Sequence, residues 1–218
     1  MVQLIRYGVV HIAEGKTIAK TYARPPDPVT RGEDSDAALA ARAANSDIRA
    51  FGELVSRHQR SVYAVVSRMV DDRDDVDDIV QEVFVLAYRA IRSFRGHSAF
   101  STWIYRIAVN TTIKHMKKIK LRRAASINDP ESGIGDTLRS PDDIGPEEAA
   151  QRSERNRALR AAISTLPEKH RAVVVLHYFN DCSCEEIARI MQCSVGTVWS
   201  RLHYACKKLK AQLGALQT

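Results

Sequence analysis

The charged residues that could bind a ligand are sorted by sign along this chain of 218 residues. Residues 89–123 contain ten lysines or arginines and no acid, and residues 187–218 contain five and again no acid. Residues 124–154 contain eight acids and two arginines, and a second acidic cluster lies within 71–82. A solvated surface does not require such segregation. The basic segments therefore indicate binding to a polyanion, in agreement with the net charge of +7.

Residues with catalytic or metal-binding potential do not form a site that their spacing supports. No Ser/His/Asp set, Cys/His set or phosphate-binding glycine loop can be assembled from the sequence. The segment from His177 to Cys193 has the spacing H-x4-C-x-C-x8-C, which matches no zinc ligand pattern. The acidic cluster Asp71–Asp78 could be a cation site, but a solvated or partner-facing helix is the simpler interpretation. We expect no catalytic residue, no metal and no cofactor.

The cysteines and the apolar segments indicate the compartment. Cys182, Cys184, Cys193 and Cys206 all lie in the last quarter of the chain and do not form a disulfide framework, so a reducing cytosol is the simpler interpretation. No apolar run approaches the ~18–20 residues that span a bilayer, and the N-terminus lacks the apolar core of a signal peptide. We expect a cytoplasmic protein with no membrane insertion.

Apolar residues repeat at helical spacing in a first module, residues 46–120. The three stripes are Phe51, Leu54, Val55, Val62, Val65, Val66 and Met69; Ile79, Val80, Val83, Phe84, Ala87 and Ile91; and Phe100, Trp103, Ile104, Ile107, Ala108 and Thr111. Three such helices can close on one small core. Ser98 is a candidate N-cap of the third helix, because its hydroxyl can accept a free backbone N–H.

Two segments outside the modules lack this periodicity. Residues 1–45 are predicted to be an N-terminal extension, disordered in part, since the prolines of Arg24–Pro28 exclude a helix interior there. Residues 121–153 are predicted to be a flexible linker. The turn-forming residues of that linker are Pro130, Gly133, Gly135, Pro141, Gly145 and Pro146.

A second module is predicted at residues 154–213, which makes the chain all-α with two small helical domains. Its first apolar stripe consists of Leu159, Ala162, Ile163 and Leu166. Pro167 follows and is tolerated in the first turn of a new helix, which is predicted to reach Phe179. The segment Ser183–Glu186 has the S-x-x-E spacing of a capping box, which predicts the start of a short helix.

The last two predicted helices have the arrangement of a helix-turn-helix. The short helix ends near Met191, the turn is Gln192–Ser194, and Ser194 caps a longer helix with an apolar face. In a helix-turn-helix the second helix enters the major groove, and its early residues meet base edges. The residues that face away from the apolar stripe are Thr197, Ser200, Arg201, Tyr204, Lys207 and Lys208. The alternative is a packed helical hairpin with a solvated basic face.

The segment Ser93–Phe100 combines aromatic and basic side chains with a glycine, immediately before Trp103. Aromatic faces stack exposed bases, and basic groups follow the backbone of a single strand. A base taken out of a duplex needs such a pocket. Phe100 and Trp103 fit the core better than a stacking platform, whereas the polar residues of the segment are expected at the surface.

Two sets of motifs resemble a known family, the extracytoplasmic-function (ECF) subfamily of sigma-70 RNA polymerase sigma factors. Similarity to region 2 of that family is carried by Asp77–Phe84, Phe94–Gly96 and Phe100–Asn110. Similarity to region 4 is carried by Leu166–Glu168, Glu186–Ala188 and Val195–Leu202. The two sets stand in the family's order, with a linker between them.

The resemblance implies a transcription initiation factor that binds bacterial core RNA polymerase and promoter DNA. The surface implied to dock on the β′ clamp is Asp77, Asp78, Ile79, Val80, Gln81, Glu82 and Phe84. The residues implied to bind the melted −10 element are Ser93, Phe94, Arg95, Gly96, His97, Ser98, Trp103, Arg106, Asn110 and Lys114. The residues implied to bind the −35 duplex are Thr197, Trp199, Ser200, Arg201, His203, Tyr204, Lys207 and Lys208. The β flap of the polymerase and an anti-sigma factor are further implied partners.

The chain departs from the family pattern at Trp199, Tyr204 and Cys206, where basic residues are common. Fewer arginines mean fewer bidentate contacts to guanine, so the family's −35 preference does not carry over. One alternative function is a stand-alone helix-turn-helix regulator, which would dimerise on a palindrome. Another is an adaptor whose basic faces bind an acidic protein.

Overall fold

A computed structural model describes residues 34–125 and 146–214, and the regular structure of these residues is helical. The first module contains α1 (Asp36–Ala44), α2 (Ile48–Met69), α3 (Arg73–Ala90), a 3-10 turn (Ile91–Ser93) and α4 (Phe100–Ala125). The second contains α5 (Pro146–Ser164), α6 (Glu168–Val174), a π-helical turn (Val175–Phe179), α7 (Cys184–Met191) and α8 (Val195–Gly214). The all-α prediction is confirmed.

The first module closes on the three predicted apolar stripes. The fully buried side chains at its centre are Leu54, Val62, Val65, Val66, Met69, Ile79, Val83 and Ile104. Each such side chain stabilises the fold by about 1.5–3 kcal/mol through burial. Asp47 fixes the start of α2, because its carboxylate accepts from the N–H groups of Arg49 at 3.0 Å and Ala50 at 3.1 Å. The packing sets α2, α3 and α4 around one core and leaves one face of α3 and of α4 outward.

Part of the predicted extension belongs to the first module. Residues 36–44 form α1, whose Leu39, Ala40 and Ala43 are buried against the core. His58 of α2 places its Nε2 atom 2.6 Å from an Oδ2 atom of Asp36 and ties α1 in place. The assignment of 1–45 as an extension is therefore wrong for these residues, and residues 1–33 lie outside the described part of the chain.

The predicted linker is shorter than the sequence analysis proposed. Helix α4 continues to Ala125, through a run of lysines and arginines that favour helix, and α5 begins at Pro146. Proline suits a first helical position because its ring presets φ and no N–H is needed there. Residues 121–125 and 146–153 are therefore helical, and residues 126–145 lie outside the described ranges.

The local signals of the second module are confirmed. Ser183 and Glu186 form the complete capping box, with the Glu186 N–H donating to Ser183 Oγ at 3.1 Å and the Ser183 N–H donating to Glu186 Oε2 at 2.8 Å. Pro167 precedes α6, and the helical path continues through the π turn to Phe179 as predicted. Gln192 has the left-handed φ of 50° at the turn before α8.

The two modules are in contact, which no sequence pattern indicated. Arg171 of α6 is 7% exposed, and its Nη1 donates to the backbone oxygen of Met69, the last residue of α2, at 2.5 Å. Arg68 of α2 lies over the ring of Phe179 at 4.9 Å from the ring centre. Helix α7 packs on α4 beside these contacts. Each module therefore supplies an arginine to the other.

Candidate nucleic-acid and protein interfaces

The acidic face of α3 carries part of the predicted polymerase-docking surface. Asp77, Asp78 and Gln81 are exposed, whereas Ile79 is fully buried and positions α3 on the core. Val80, Glu82 and Phe84 are half-buried. Glu82 Oε2 lies 2.5 Å from His115 Nε2, so this carboxylate links α3 to α4. Within Asp77–Phe84, the side chains most accessible to a protein partner are therefore the three exposed polar residues.

Two apolar residues extend this face and were missed. Val85 is 48% exposed and Tyr88 is 45% exposed, and both lie in line with Asp77 and Gln81 at helical spacing. The Tyr88 ring makes an edge contact with Phe51, with ring centres 5.1 Å apart. The available signal was their position outside the apolar stripe of α3, since large apolar residues facing water in a charged face indicate a partner surface.

The aromatic residues between α3 and α4 form one packed cluster. The Phe94 ring lies 5.6 Å from Phe100 and 5.3 Å from Trp103, measured between ring centres. Phe100 is 4% exposed, in agreement with its predicted core position, and its ring contacts His58 at 5.0 Å. Phe94 and Trp103 are half-buried, so part of each side chain is accessible.

The polar residues of the loop lie at the rim of this cluster. Ser93, Arg95, Gly96 and His97 are exposed and Ser98 is half-buried. Gly96 has φ +71°, a left-handed conformation that favours glycine. The prediction of Ser98 as N-cap is wrong by one residue: α4 begins at Phe100, and the Ala99 oxygen accepts the first helical bond, from Trp103 N–H at 3.2 Å.

A line of exposed polar side chains follows α4 away from the aromatic cluster. Arg106, Asn110 and Lys114 are exposed at intervals of four residues, so they share one face of the helix. Lys117 and Lys118 are exposed in the next turn. The face contains no acid, and at 1.5 Å per residue Arg106 and Lys114 stand about 12 Å apart along the axis. These residues form a basic stripe that starts one turn after Trp103.

Helix α8 presents its predicted recognition face to solvent. The spacing predicts an apolar face of Val195, Val198, Leu202, Ala205 and Leu209; the last four are buried and Val195 is half-buried. The exposed residues on the other side are Trp199, Ser200, His203, Tyr204 and Lys207. Trp199 is 52% exposed and Tyr204 is 48% exposed. The outer face of the helix is therefore largely aromatic.

Several polar side chains of α8 are bonded within their own module. Thr197 Oγ1 lies 2.8 Å from the Oγ of Ser194, and Ser200 Oγ donates to the Thr197 backbone oxygen at 3.0 Å. Arg201 Nη1 points back to the turn, 3.6 Å from Cys193 Sγ. Lys208 Nζ donates to the Thr165 backbone oxygen at 2.7 Å. The structure places these predicted DNA-binding residues on or beside the face, but their polar groups already have protein partners.

His170 of α6 was also missed as a neighbour of this face. Its ring lies 4.7 Å from the Tyr204 ring, measured between centres. Burial lowers the pKa of His170, and the nearby cations Arg201 and Lys208 lower it further. The imidazole therefore stays neutral more readily than usual, and its ring supports Tyr204 from behind.

Two cysteines of the second module, Cys184 and Cys206, have thiols that favour the protonated form. Burial raises the pKa of Cys184 and of Cys206, and the Cys206 Sγ lies 3.4 Å from the hydroxyl of Tyr178. Thiolate is the form that binds metals and reacts, so this environment disfavours both roles. Within the described residues no cluster of histidine, cysteine or acidic side chains could hold a metal ion. Among the same residues no helix is both long and apolar enough to cross a membrane.

Comparison with known proteins assigns the family. The sigma-70 region 2 and sigma-70 region 4 families match residues 54–122 and 156–209. RNA polymerase sigma-H factor of Pseudomonas aeruginosa strain PAO1 is 38% identical over 187 residues, which cover 84% of this chain and 96% of that protein. ECF RNA polymerase sigma-E factor of Haemophilus influenzae strain Rd is 41% identical over 187 residues, covering 84% and 97%.

A solved structure agrees with these relatives. CnrH in complex with the cytosolic domain of CnrY aligns with a TM-score of 0.60 and 30% identity, covering 84% of this chain and 99% of that chain. The matched segments contain α3 and α4 with their exposed faces, and the helix-turn-helix of α7 and α8. The chain belongs to the extracytoplasmic-function family of RNA polymerase sigma factors.

Proposed function

We propose that this chain is a dissociable initiation subunit, which brings core RNA polymerase to a set of promoters by binding their −10 and −35 elements. The observation that carries the proposal is the exposed line of Arg106, Asn110 and Lys114 beside an aromatic cluster, on a chain whose other module is a helix-turn-helix. The chain contributes no catalytic group of its own and acts in the cytoplasm, where the polymerase transcribes.

The first step is docking through the outward face of α3. Asp77, Asp78 and Gln81 supply charge and hydrogen bonds, and Val85 with Tyr88 supplies an apolar centre. An apolar centre with a polar rim is the usual composition of a protein interface. The basic partner that fits this face is the clamp of the polymerase β′ subunit. The β flap is the corresponding partner of the second module.

The second step is capture of a melted strand by the loop and α4. A base that leaves the duplex would stack on the accessible part of Phe94 or Trp103, with Arg95 and His97 at the rim. The strand backbone would then follow Arg106, Asn110 and Lys114 along α4. Stacking and phosphate attraction are separate contributions, and both suit single-stranded DNA. A duplex would present neither free bases nor this path.

Promoter binding requires the two modules to separate. The −35 and −10 elements lie about 25 base pairs apart, or roughly 85 Å at 3.4 Å per base pair. Modules of this size have radii of gyration of ~12 Å, so their centres are only about 30 Å apart when they touch. The contacts of Arg171 with Met69 and of Arg68 with Phe179 therefore cannot persist while both elements are bound.

A protein that holds the modules together would keep the chain from promoters. The relative CnrH has been solved with the cytosolic domain of CnrY bound. We expect this chain to be controlled similarly, by an anti-sigma factor that covers the faces of α3 and α4 or stabilises the contact between modules. Release of that protein would free the same surfaces for polymerase and DNA.

The proposal is tested by transcription with purified components. The chain is added to core RNA polymerase and a promoter library, and transcript starts are mapped. Starts that depend on the chain are expected, sharing one −10 and one −35 element. If no new starts appear and the chain alone protects a palindromic duplex in a footprint, the proposal is wrong and the chain is a stand-alone regulator.

A matched pair of charge reversals tests the docking face. Asp77→Lys places a cation on the outward face of α3, where it would repel a basic partner. Glu154→Lys makes the same change on the exposed side of α5. We expect Asp77→Lys to weaken core binding at least tenfold and Glu154→Lys to leave it within twofold, measured by titration with labelled polymerase. Equal losses of affinity for core polymerase in the two variants would show that the outward face of α3 is not part of the docking surface.

A further inference from the structure

Helix α8 carries an exposed tryptophan among polar side chains that are already bonded. Trp199 lies in the second turn of the helix with 52% of its surface exposed, which is unusual for a large aromatic residue. The early residues of a recognition helix are those that meet base edges. Trp199 therefore stands where a base contact is made, if the −35 role in the proposed function holds.

Three polar side chains near Trp199 make contacts inside their own module, whereas His203 and Lys207 are exposed on the same face. Thr197 and Ser200 bond to Ser194 Oγ and to the helix backbone, and the Arg201 guanidinium contacts Cys193 Sγ. Further along, Lys208 caps the end of α5 through the Thr165 oxygen. Bidentate recognition uses a guanidinium or ammonium for guanine and an amide for adenine. In the described part of α8 the Arg201 guanidinium turns back to Cys193, and the Gln212 amide lies at the far end of the helix beside Thr165. The exposed cations that remain there are lysines such as Lys207.

We propose that Trp199 recognises a thymine of the −35 element through its C5-methyl group. Each base pair presents hydrogen-bonding groups in the major groove, but the thymine methyl is the apolar group displayed there. An exposed indole ring can pack its apolar face on that methyl. The inference rests on the proposed function and adds to it the kind of base that this helix selects.

The experiment removes the methyl group and the indole separately. Holoenzyme first selects −35 sequences from a promoter pool randomised at that element. Each thymine of the selected element is then replaced by deoxyuridine, which differs only by the missing methyl. Dissociation constants are measured for holoenzymes with the native chain, Trp199→Ala, Trp199→Phe and Lys207→Ala. Lys207 is the control, because it is exposed on the same helix and suited to a phosphate.

The inference predicts a coupled loss at one thymine. Deoxyuridine there should weaken the native holoenzyme about fourfold, the factor that corresponds to ~0.8 kcal/mol for one buried methyl-sized group. The Trp199→Ala holoenzyme should bind the thymine and deoxyuridine promoters equally, and Trp199→Phe should show a difference smaller than fourfold. Lys207→Ala should bind both promoters more weakly but keep the fourfold difference between them.

Other outcomes overturn the inference in recognisable ways. Three results would each exclude methyl recognition by Trp199. The first is an equal loss of affinity on deoxyuridine substitution in the native and Trp199→Ala holoenzymes. The others are that no position shows a twofold loss, and that the selected element contains no A·T pair. These results leave the proposed function intact, because the holoenzyme still selects promoters. A holoenzyme that initiates from no member of the pool would instead overturn the proposed function, and this inference with it.

Discussion

Arg171 joins the two modules through a forked pair of donors, and Arg171→Lys tests that geometry. Its Nη1 donates to the Met69 oxygen at 2.5 Å and its Nη2 donates to the Ser164 oxygen. Both acceptors lie at helix C-termini, where carbonyls lack partners within the helix. Lysine keeps the positive charge but has a single ammonium group, which cannot place donors at both carbonyls as the planar guanidinium does.

The expected destabilisation follows from one lost bond and a costlier burial. A hydrogen bond to a charged group contributes about 1.5–3 kcal/mol. An ammonium is also more strongly hydrated than a guanidinium, and Arg171 is only 7% exposed. We expect Arg171→Lys to lower the free energy of unfolding by about 2–4 kcal/mol. For a chain of this length the thermal midpoint should fall by roughly 4–16 °C.

Scanning calorimetry measures the midpoint, with Arg160→Lys as the matched control. Arg160 lies on the exposed side of α5, so the same exchange there should change stability by less than about 0.5 kcal/mol. If Arg171→Lys melts within 1 °C of both the native chain and Arg160→Lys, the two hydrogen bonds of the Arg171 guanidinium do not contribute to the stability of the fold. The contact between the modules would then not depend on Arg171. A larger fall in Arg160→Lys would contradict the burial argument itself.

Three smaller perturbations probe the cap, the loop and a titratable group. Ser183→Ala removes the hydroxyl that accepts from the Glu186 N–H, whereas the backbone N–H at that position can still donate to the Glu186 carboxylate. The substitution should cost about 1 kcal/mol in a chemical denaturation of the chain, and Ser183→Asp should cost less, because its carboxylate can accept the same bond. Gly96→Ala should lower the free energy of unfolding by ~1–2 kcal/mol, because alanine would have to adopt φ +71°. The added Cβ meets no atom within 4 Å, so a steric clash does not contribute. Gly96→Asn should be less destabilising, and an equal loss in the two variants would show that the backbone conformation is not the cause. Burial lowers the pKa of His170 from its ordinary 6.5, and the nearby cations Arg201 and Lys208 lower it further. As the pH falls, the imidazole is therefore protonated in the unfolded chain before it is protonated in the folded chain. The free energy of unfolding should accordingly decrease as the pH drops below about 6.5. His170→Gln should flatten that fall in thermal melts across pH 5–7, and an unchanged profile would assign it to other groups.

Apolar spacing was sufficient to predict the cores of both modules, because the spacing that defines a helix also determines which of its side chains meet. Val62, Val65 and Val66 are buried together on α2 for that reason. The capping box was equally predictable, since Ser183 and Glu186 need only each other and the backbone between them. Features of this kind depend on residues a few positions apart.

Helix α1 and the module contact could not be predicted in the same way. The buried residues of α1 are Leu39, Ala40 and Ala43, and alanines give a weak apolar signal. Arg171 bonds to a backbone oxygen 102 residues away. Every residue carries such an acceptor, so no residue type marks Met69 as the partner. These contacts depend on how whole helices pack, which local patterns do not encode.

The recognition helix shows where sequence and structure each decide function. The position of its outer face follows by exclusion from the buried stripe, so Ser200, Tyr204 and Lys207 were correctly placed at the surface by their spacing. Trp199 and His203 were expected on this face only through the family resemblance. Whether a polar group on that face is free depends on rotamers, and those of Ser200 and Arg201 turn them toward their own module. Counting donors along the helix therefore overstates its capacity for hydrogen-bonded readout. Trp199 is the most exposed large apolar side chain on that face, and for that reason we expect the −35 preference of this chain to follow thymine methyls more closely than the guanines that arginine binds in bidentate fashion.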